Sequence, residues 1–244
     1  MKRTALITGA TSGIGRATAH EFAKHGINLI LCGRRQSRLD IIKKALDRET
    51  KVHTLNFDVR NKKEVFDAIA SLPEEFKSIN ILINNAGNAH GLDPIQDGNL
   101  DDWDAMMDIN VKGLLYMSKA VIPQMTERHS GHIINIGSSA GKEVYPKGNV
   151  YCGSKHAVLA ITEGMRIDLN PYGIKVTAIN PGLVETEFSQ VRFKGDKAAD
   201  SVYKGYKALQ AEDIAEIIYF AISRPSHVNI ADLLVFPTAQ ANST

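Results

Sequence analysis

Thr4-Ala5-Leu6-Ile7-Thr8 runs straight into Gly9-Ala10-Thr11-Ser12-Gly13-Ile14-Gly15, and the stretch from Arg16 to His25 continues with a helical pattern. A short apolar strand, a glycine turn and a helix in direct succession leave few folds open. The first backbone amides of a helix lack partners within it, and the aligned peptide dipoles place partial positive charge there. A turn without Cβ atoms lets a phosphate reach those amides. The unit therefore predicts the opening of a parallel α/β sheet with a nucleotide phosphate on the loop from Gly9 through Thr11, Ser12, Gly13 and Ile14 to Gly15. Its order, Gly-x-x-x-Gly-x-Gly, differs from the commonest dinucleotide fingerprint. A plain glycine turn is the alternative.

The next apolar run, Ile27 to Cys32, ends in Gly33-Arg34-Arg35. A site for NAD usually carries an acidic residue about 20 positions beyond the glycine loop to hold the ribose hydroxyls. Here two guanidinium groups stand instead, suited to grip a 2′-phosphate bidentately, so Arg34 and Arg35 point to NADP. The strand Val52 to Phe57 closes on Asp58-Val59, placed to meet an adenine edge. A helix over Lys62 to Ser71 leads past Pro73 to the strand Ile79 to Ile83 and to Asn84-Asn85-Ala86-Gly87, small residues that suit backbone lying against a ligand. From Leu100 to Arg128 runs a long helical region holding Asn110, a weak helix former at an interior position.

His132-Ile133-Ile134-Asn135-Ile136 is a further buried-strand pattern, followed by Gly137, Ser138, Ser139, Ala140 and Gly141. Tyr151 and Lys155, four residues apart on the helix predicted from Val150 to Asn170, share one face. A free Tyr titrates near ~10, and a neighbouring cation pulls that value down. Tuned in this way, Tyr151 can give a proton to a carbonyl or take one from an alcohol, with the Ser138 hydroxyl beside it to bond the substrate oxygen. Tyr203 and Lys207 have the same spacing, but no strand ending in small hydroxyl residues precedes them. The helix carries more apolar surface than one face needs, and Gly164 within it suits a close helix contact, so packing against another subunit is expected.

Ile174 to Asn180 is a strand ended by Pro181-Gly182, and the segment from Leu183 to Ala208 lacks periodicity and is expected to form a lid. A helix over Ala211 to Ile222 and a strand over Leu233 to Phe236 complete the chain. Strands alternating with helices, without linker or repeat, predict one α/β domain over residues 1–244: a doubly wound Rossmann-type fold. Its parallel β-sheet has about seven strands, flanked by helices on both faces. Residues are 43% apolar and 23% charged, ordinary for a globular protein. A net charge of +2 is too small to suggest a nucleic-acid partner. No export signal, membrane span or metal-ligand set is read, and two cysteines, Cys32 and Cys152, make no disulfide framework, so a cytoplasmic location is expected.

Taken together, Thr8-Gly9-x-x-x-Gly13-Ile14-Gly15, Asn84-Asn85-Ala86-Gly87, Ser138, Tyr151-x-x-x-Lys155 and Pro181-Gly182-x-Val184-x-Thr186 resemble the motifs of the short-chain dehydrogenase/reductase family, in order and over essentially the whole chain. The resemblance implies a tetrad in which Tyr151 is the general acid/base and Ser138 positions the carbonyl. Lys155 holds the nicotinamide ribose and lowers the Tyr151 value, and Asn110 supports a water relay. It also implies that Thr186 meets the carboxamide and Asp58 the adenine, and that a homotetramer forms. Cys152 departs from the small Gly or Ala common at that position.

Within the family the chain is similar to NADP-dependent 3-hydroxy acid dehydrogenases, which oxidise serine, allo-threonine and related acids. That likeness rests on Gly148-Asn149-Val150-Tyr151, on Pro181 to Ser189 continuing through Val191-Arg192-Phe193-Lys194-Gly195, and on Pro225 to Ile230. Asn149, with Ser138 and Tyr151, is then a substrate residue, and Arg192 or Lys194 is placed to bind a carboxylate. The alternatives are a reductase of 3-oxoacyl chains on a carrier protein and a non-catalytic NADP-binding redox reporter.

Overall fold

The computed structural model describes residues 2–195 and 207–242. Strand β1 (Thr4–Thr8) leads through the glycine turn into helix α1 (Gly13–Lys24). The pattern repeats through β2 (Asn28–Gly33), α2 (Gln36–Leu46), β3 (Val52–Asn56), α3 (Lys62–Ala70) and β4 (Ile81–Asn84). The second half contains α4 (Leu100–Met107), α5 (Leu114–Glu127), β5 (Gly131–Ile136), α6 (Asn149–Leu169) and β6 (Ile174–Pro181). Short pieces follow, β7 (Val184–Glu185), α7 (Phe188–Arg192) and β8 (Leu209–Gln210), and then α8 (Ala211–Ile222) and β9 (Asp232–Val235).

Among the described residues, seven strands form one sheet in the order β3-β2-β1-β4-β5-β6-β9, every neighbouring pair parallel. Strands covered on both faces read as unbroken apolar runs, which is why β1 is buried at every position. Alternate residues serve opposite layers. Ala5, Ile7, Leu29 and Leu31 pack with Phe22 of α1 and Ile214 and Ile218 of α8. Leu6, Ile30 and Leu82 face Val65 of α3 and Met117, Val121 and Met125 of α5. The winding reverses between β1 and β4, and the crevice such a reversal opens lies at the carboxyl ends of the strands.

The helical region from Leu100 to Arg128 is not one regular helix. A π-helical turn, Asp108–Gly113, separates α4 from α5, and Asn110 is buried within it. Such turns loosen the backbone ladder and re-aim side chains. Asn99 caps α4 by accepting from the amides of Asp101 and Asp102.

The expected lid has local structure at its described ends, in β7, α7 and β8. Its residues 196–206 lie outside the described residues, and with them Tyr203 of the second Tyr/Lys pair. The close contact expected at Gly164 is not made among the described residues: a Cβ there meets none of them within 4 Å.

Candidate active site at the carboxyl ends of the strands

The glycine loop is constrained by its neighbours. Gly9 and Gly13 have φ of +65° and +49°, and a Cβ on Gly15 would lie 2.5 Å from the Gly9 carbonyl oxygen. The loop is tied to the end of β4 through Thr8, whose hydroxyl accepts from the amides of Asn85 (3.0 Å) and Ala86 (2.9 Å). Asn85 Nδ2 returns a bond to the Thr8 carbonyl at 2.9 Å. A Cβ on Gly13 would lie 3.2 Å from the Thr186 side chain, so the residue after β7 closes over the same loop.

Arg34 and Arg35 take different positions. Arg35 lies along the glycine loop, donating from Nε and Nη2 to Thr11 Oγ1 (3.1 and 2.7 Å) and from Nη2 to Ser12 Oγ (2.8 Å). Its Nη1 reaches Glu187 at 3.0 Å, and Arg38 pairs with the same carboxylate at 2.7 Å. Arg34 is 3.6 Å from Asp58, which also accepts from Arg60 at 2.7 Å. Burial raises the Asp58 carboxyl, but the bonds from Arg60 and the charge of Arg34 outweigh it and hold the group below its ordinary range. The end of β2 has no acidic residue in sequence, yet the fold brings Asp58 and Glu187 there. Glu187 lies 152 residues from Arg35 along the chain, so no local signal reveals it.

At the centre of the crevice, Ser138 at the end of β5 hydrogen-bonds with Tyr151 on α6. Lys155, buried on the same helix, donates to the Ile136 carbonyl at 3.0 Å. A Cβ on Gly87 would sit 3.2 Å from Asn110 Oδ1 and 3.6 Å from Lys155 Nζ, so the Asn84-to-Gly87 turn passes against both. Asn110 Nδ2 donates to the Asn88 carbonyl (2.9 Å) and to Ser154 Oγ (3.0 Å), and Oδ1 accepts from the Asn88 amide (2.8 Å). Ser138, Tyr151, Lys155 and Asn110 thus lie around one crevice.

The electrostatics differ from the expectation. Burial pushes the Tyr151 phenol well above its ordinary value, with the Ser138 bond and then the Arg192 charge pulling against it. Burial also disfavours the Lys155 ammonium, whose pKa is lowered to about 8. The nearby cation that acts on Tyr151 here is Arg192, because Lys155 turns its ammonium to the Ile136 carbonyl.

Farther along the crevice from the glycine loop, Arg192 Nε donates to the Gly91 carbonyl at 3.1 Å and Nη1 to Tyr145 Oη at 2.9 Å. Its guanidinium carbon lies 5.5 Å from the centre of the Tyr151 ring. Phe188 of α7 packs on that ring at 5.8 Å. Lys194 is instead paired with Asp102 at 3.0 Å and is largely exposed. Asn149 spends its side chain on the Asp93 carbonyl (3.0 Å) and the Val150 amide (2.7 Å), bracing the start of α6. Asn88, His90 and Tyr145 join the wall without having been marked by any motif, beside Phe188 of the Pro181-to-Ser189 run.

One cleft of about 620 Å³ runs from the glycine loop past Arg34, Asp58 and Val59 to Pro181, Gly182, Tyr151 and Arg192. The glycine loop at the amino end of α1, with Gly9 and Gly13 at positive φ, lines this cleft, and such a loop fits the phosphates of a dinucleotide.

Comparison with known proteins agrees with this geometry. The family model described as short chain dehydrogenase matches residues 3–197. Sulfoacetaldehyde reductase 2 of Chromohalobacter salexigens is 46% identical over 99% of this chain and 96% of its own length. The NADP-dependent 3-hydroxy acid dehydrogenase of Schizosaccharomyces pombe is 47% identical over 99% of this chain and 95% of its own. The closed form of serine dehydrogenase complexed with NADP+ superposes with a TM-score of 0.94 at 44% identity, covering 99% of this chain and 97% of that one. With a matching family model over most of its length and relatives aligned from end to end, the chain belongs to the short chain dehydrogenase family.

Proposed function

We propose that this protein is an NADP-dependent oxidoreductase that interconverts a small 3-hydroxy acid and the corresponding carbonyl compound. The observation that carries this reading is the placement of Arg192, fixed by Gly91 and Tyr145 beside the Tyr151 ring, so that one pocket offers a proton-transfer group and an anion-binding group. A 3-hydroxy acid has a hydroxyl for the first and a carboxylate for the second. The names of the relatives support the same class.

The glycine loop and the amino end of α1 would hold the pyrophosphate of NADP, and Arg34 and Arg35 its 2′-phosphate. Asp58 and Val59 would flank the adenine, and the turn at Asn85, Ala86 and Gly87 and the Pro181-to-Thr186 segment with Val184 would line the nicotinamide half. When bound, the nicotinamide supplies the hydride chemistry. In the reductive direction Ser138 would hold the carbonyl oxygen and Tyr151, its phenol kept protonated by burial, would give it a proton, oxidation running in reverse. Lys155 would hold the nicotinamide ribose, and Asn110, held on the π-helical turn by Asn88, would support a water relay that resupplies the proton of Tyr151. Phe188 would add an apolar wall beside the Tyr151 ring.

The whole chain acts as one NADP-binding domain in this reading, with a substrate lid around residues 183–208. The outer face of α6, with Ile167 68% exposed and open space at Gly164, supports assembly with further copies, as a homotetramer. A cytoplasmic location accords with the buried free thiols of Cys32 and Cys152. No helix among the described residues is long and apolar enough to cross a membrane. A second reading, reduction of a short aldehyde bearing a sulfonate, is favoured by the 46% identical relative and uses Arg192 in the same way.

The test is a spectrophotometric panel of 3-hydroxy acids, acyl-carrier substrates and sulfonated aldehydes, with both nicotinamide cofactors. NADP-linked turnover of 3-hydroxy acids is expected. In Tyr151→Phe it falls by about 10²–10⁴-fold, the range for a lost general acid/base, while NADPH still binds. No turnover of any 3-hydroxy acid by the unaltered protein overturns the reading.

A further inference from the structure

The charge of Arg192 is held in place without being neutralised. Its guanidinium carbon lies 5.5, 5.6 and 5.9 Å from the centres of the Tyr151, Tyr145 and Phe193 rings. Nε donates to the Gly91 carbonyl at 3.1 Å and Nη1 to the Tyr145 hydroxyl at 2.9 Å. Both acceptors are neutral, because burial raises the Tyr145 phenol against the pull of Arg192 and the hydroxyl keeps its proton. Among the described residues no carboxylate pairs with Arg192, whereas Lys194 is paired with Asp102, and Arg35 and Arg38 with Glu187. Two of the five guanidinium donors are then spent and three remain for an anion.

Of the two ties, the one to Tyr145 is made by a side chain, and the seat of that side chain is built. Tyr145 lies in the loop between the Ser139–Gly141 turn and α6, and its carbonyl accepts from the Gly148 amide at 3.0 Å. A Cβ on Gly148 would run into the Tyr145 ring, so a glycine before α6 is what lets the ring lie there. One turn further along α6, the buried thiol of Cys152 faces the Tyr145 hydroxyl, and the ring packs against the cluster of Ala140, Met106 and Cys152. Gly148 and Cys152 thus serve one aromatic ring, and that ring fixes where its hydroxyl meets Arg192. Both Tyr145 and Arg192 line the cleft.

An arginine on its long flexible stem has to be ordered before it can grip a small anion, and ordering it only when the substrate arrives weakens binding. Resting on the function proposed above, we infer that Tyr145 is a positioning residue for the substrate carboxylate: its hydroxyl, set by the space at Gly148, aims the Arg192 guanidinium into the cleft. Tyr145 acts through Arg192 and takes no part in the transfer of hydride or proton. The selectivity of the pocket for acids over neutral alcohols then depends on a hydroxyl that touches neither the reacting carbon nor the cofactor.

The experiment measures kcat and KM, with saturating NADP+, for the 3-hydroxy acid that the unaltered protein turns over best, in Tyr145→Phe, Arg192→Ala and the double variant. Tyr145→Phe keeps the ring and removes only the hydroxyl. It is expected to raise KM about three- to tenfold, with kcat changing less, as for one side chain left to be ordered by the substrate. In the double variant kcat/KM is expected to match that of Arg192→Ala alone, because a residue that acts through another adds nothing once the other is gone. NADPH binding by fluorescence checks that each variant is folded. Gly148→Ala, which pushes the ring aside, should raise KM in the same direction and takes the place of Tyr145→Phe if that variant does not fold. An unchanged KM in the folded variants overturns the inference, as does a loss carried equally by kcat. Losses that add in the double variant overturn it too, because Tyr145 would then act independently of Arg192. In each of these cases the 3-hydroxy acid reading stands. No turnover of any 3-hydroxy acid by the unaltered protein overturns both.

Discussion

Glu187, one residue before α7, accepts a hydrogen bond from Arg35 at 3.0 Å, although Arg35 also lies along the glycine loop through Thr11 and Ser12. The segment after β7 is thereby joined by charge to the glycine loop. A 2′-phosphate at Arg35 has to share it with this carboxylate. Glu187→Gln removes the competing charge and is expected to tighten NADP+ binding roughly two- to fivefold, a modest gain because exposed pairs contribute only about 0.2–1 kcal/mol. NAD+, without the 2′-phosphate, should show little change. Titration calorimetry at low and high salt checks this, and a gain that survives high salt would contradict the charge argument.

Arg34 meets Asp58 only at 3.6 Å and is well exposed, so its guanidinium retains donors for a phosphate. A charge-assisted bond contributes about 1.5–3 kcal/mol, so Arg34→Ala should weaken NADP+ binding by about ten- to a hundredfold. NAD+ binding should move far less. Equal losses for the two cofactors would reject the 2′-phosphate assignment.

Lys155 makes the fold pH-sensitive in a defined direction. Its pKa is about 8 in the folded chain against an ordinary 10.5, so between those values the unfolded chain binds more protons. Stability must then rise as pH climbs through this window, and below pH 8 the folded state carries the full cost of charging a buried amine. The shift corresponds to something on the order of 3 kcal/mol. Lys155→Met lacks this dependence, although it also loses the bond to the Ile136 carbonyl at every pH. Melting curves of both proteins from pH 7 to 10 are expected to show the native protein gaining relative to the variant, at about 2–4 °C per kcal/mol for a chain of this size. Parallel curves would show that Lys155 is not the group responsible.

What the sequence reveals and what it conceals divide along the range of the forces involved. The glycine loop, the run ending at Ser138 and the Tyr151/Lys155 face are each written in a few consecutive residues, because strand, turn and helix are local structures. The sheet order follows from the alternation of those units. Glu187 was invisible because its meeting with Arg35 depends on how the segment after β6 folds back over β2. The π-helical turn was hidden too: Asn110 signalled only weak helix propensity, and its bonds to Asn88 and Ser154 arise from tertiary packing. The action of Lys155 on Tyr151 is likewise not readable from spacing alone. Spacing puts two side chains on one face, but burial and the Ile136 carbonyl decide where the ammonium points.

Arg192 and Lys194 carry the same charge two residues apart, and sequence offers no way to choose between them as the carboxylate anchor. The structure separates them: Arg192 is held over the Tyr151 ring, whereas Lys194, past the end of α7 at φ 52°, pairs with Asp102 outside the cleft. Loss of a charge-assisted bond to the substrate costs about 1.5–3 kcal/mol, so Arg192→Ala should raise KM for 3-hydroxy acids about ten- to a hundredfold. Lys194→Ala removes an exposed ion pair and should change KM less than about threefold. Steady-state kinetics on both variants with saturating NADP+ decides between them. An unchanged KM in Arg192→Ala, or the larger effect in Lys194→Ala, would remove Arg192 as the group that binds the substrate carboxylate.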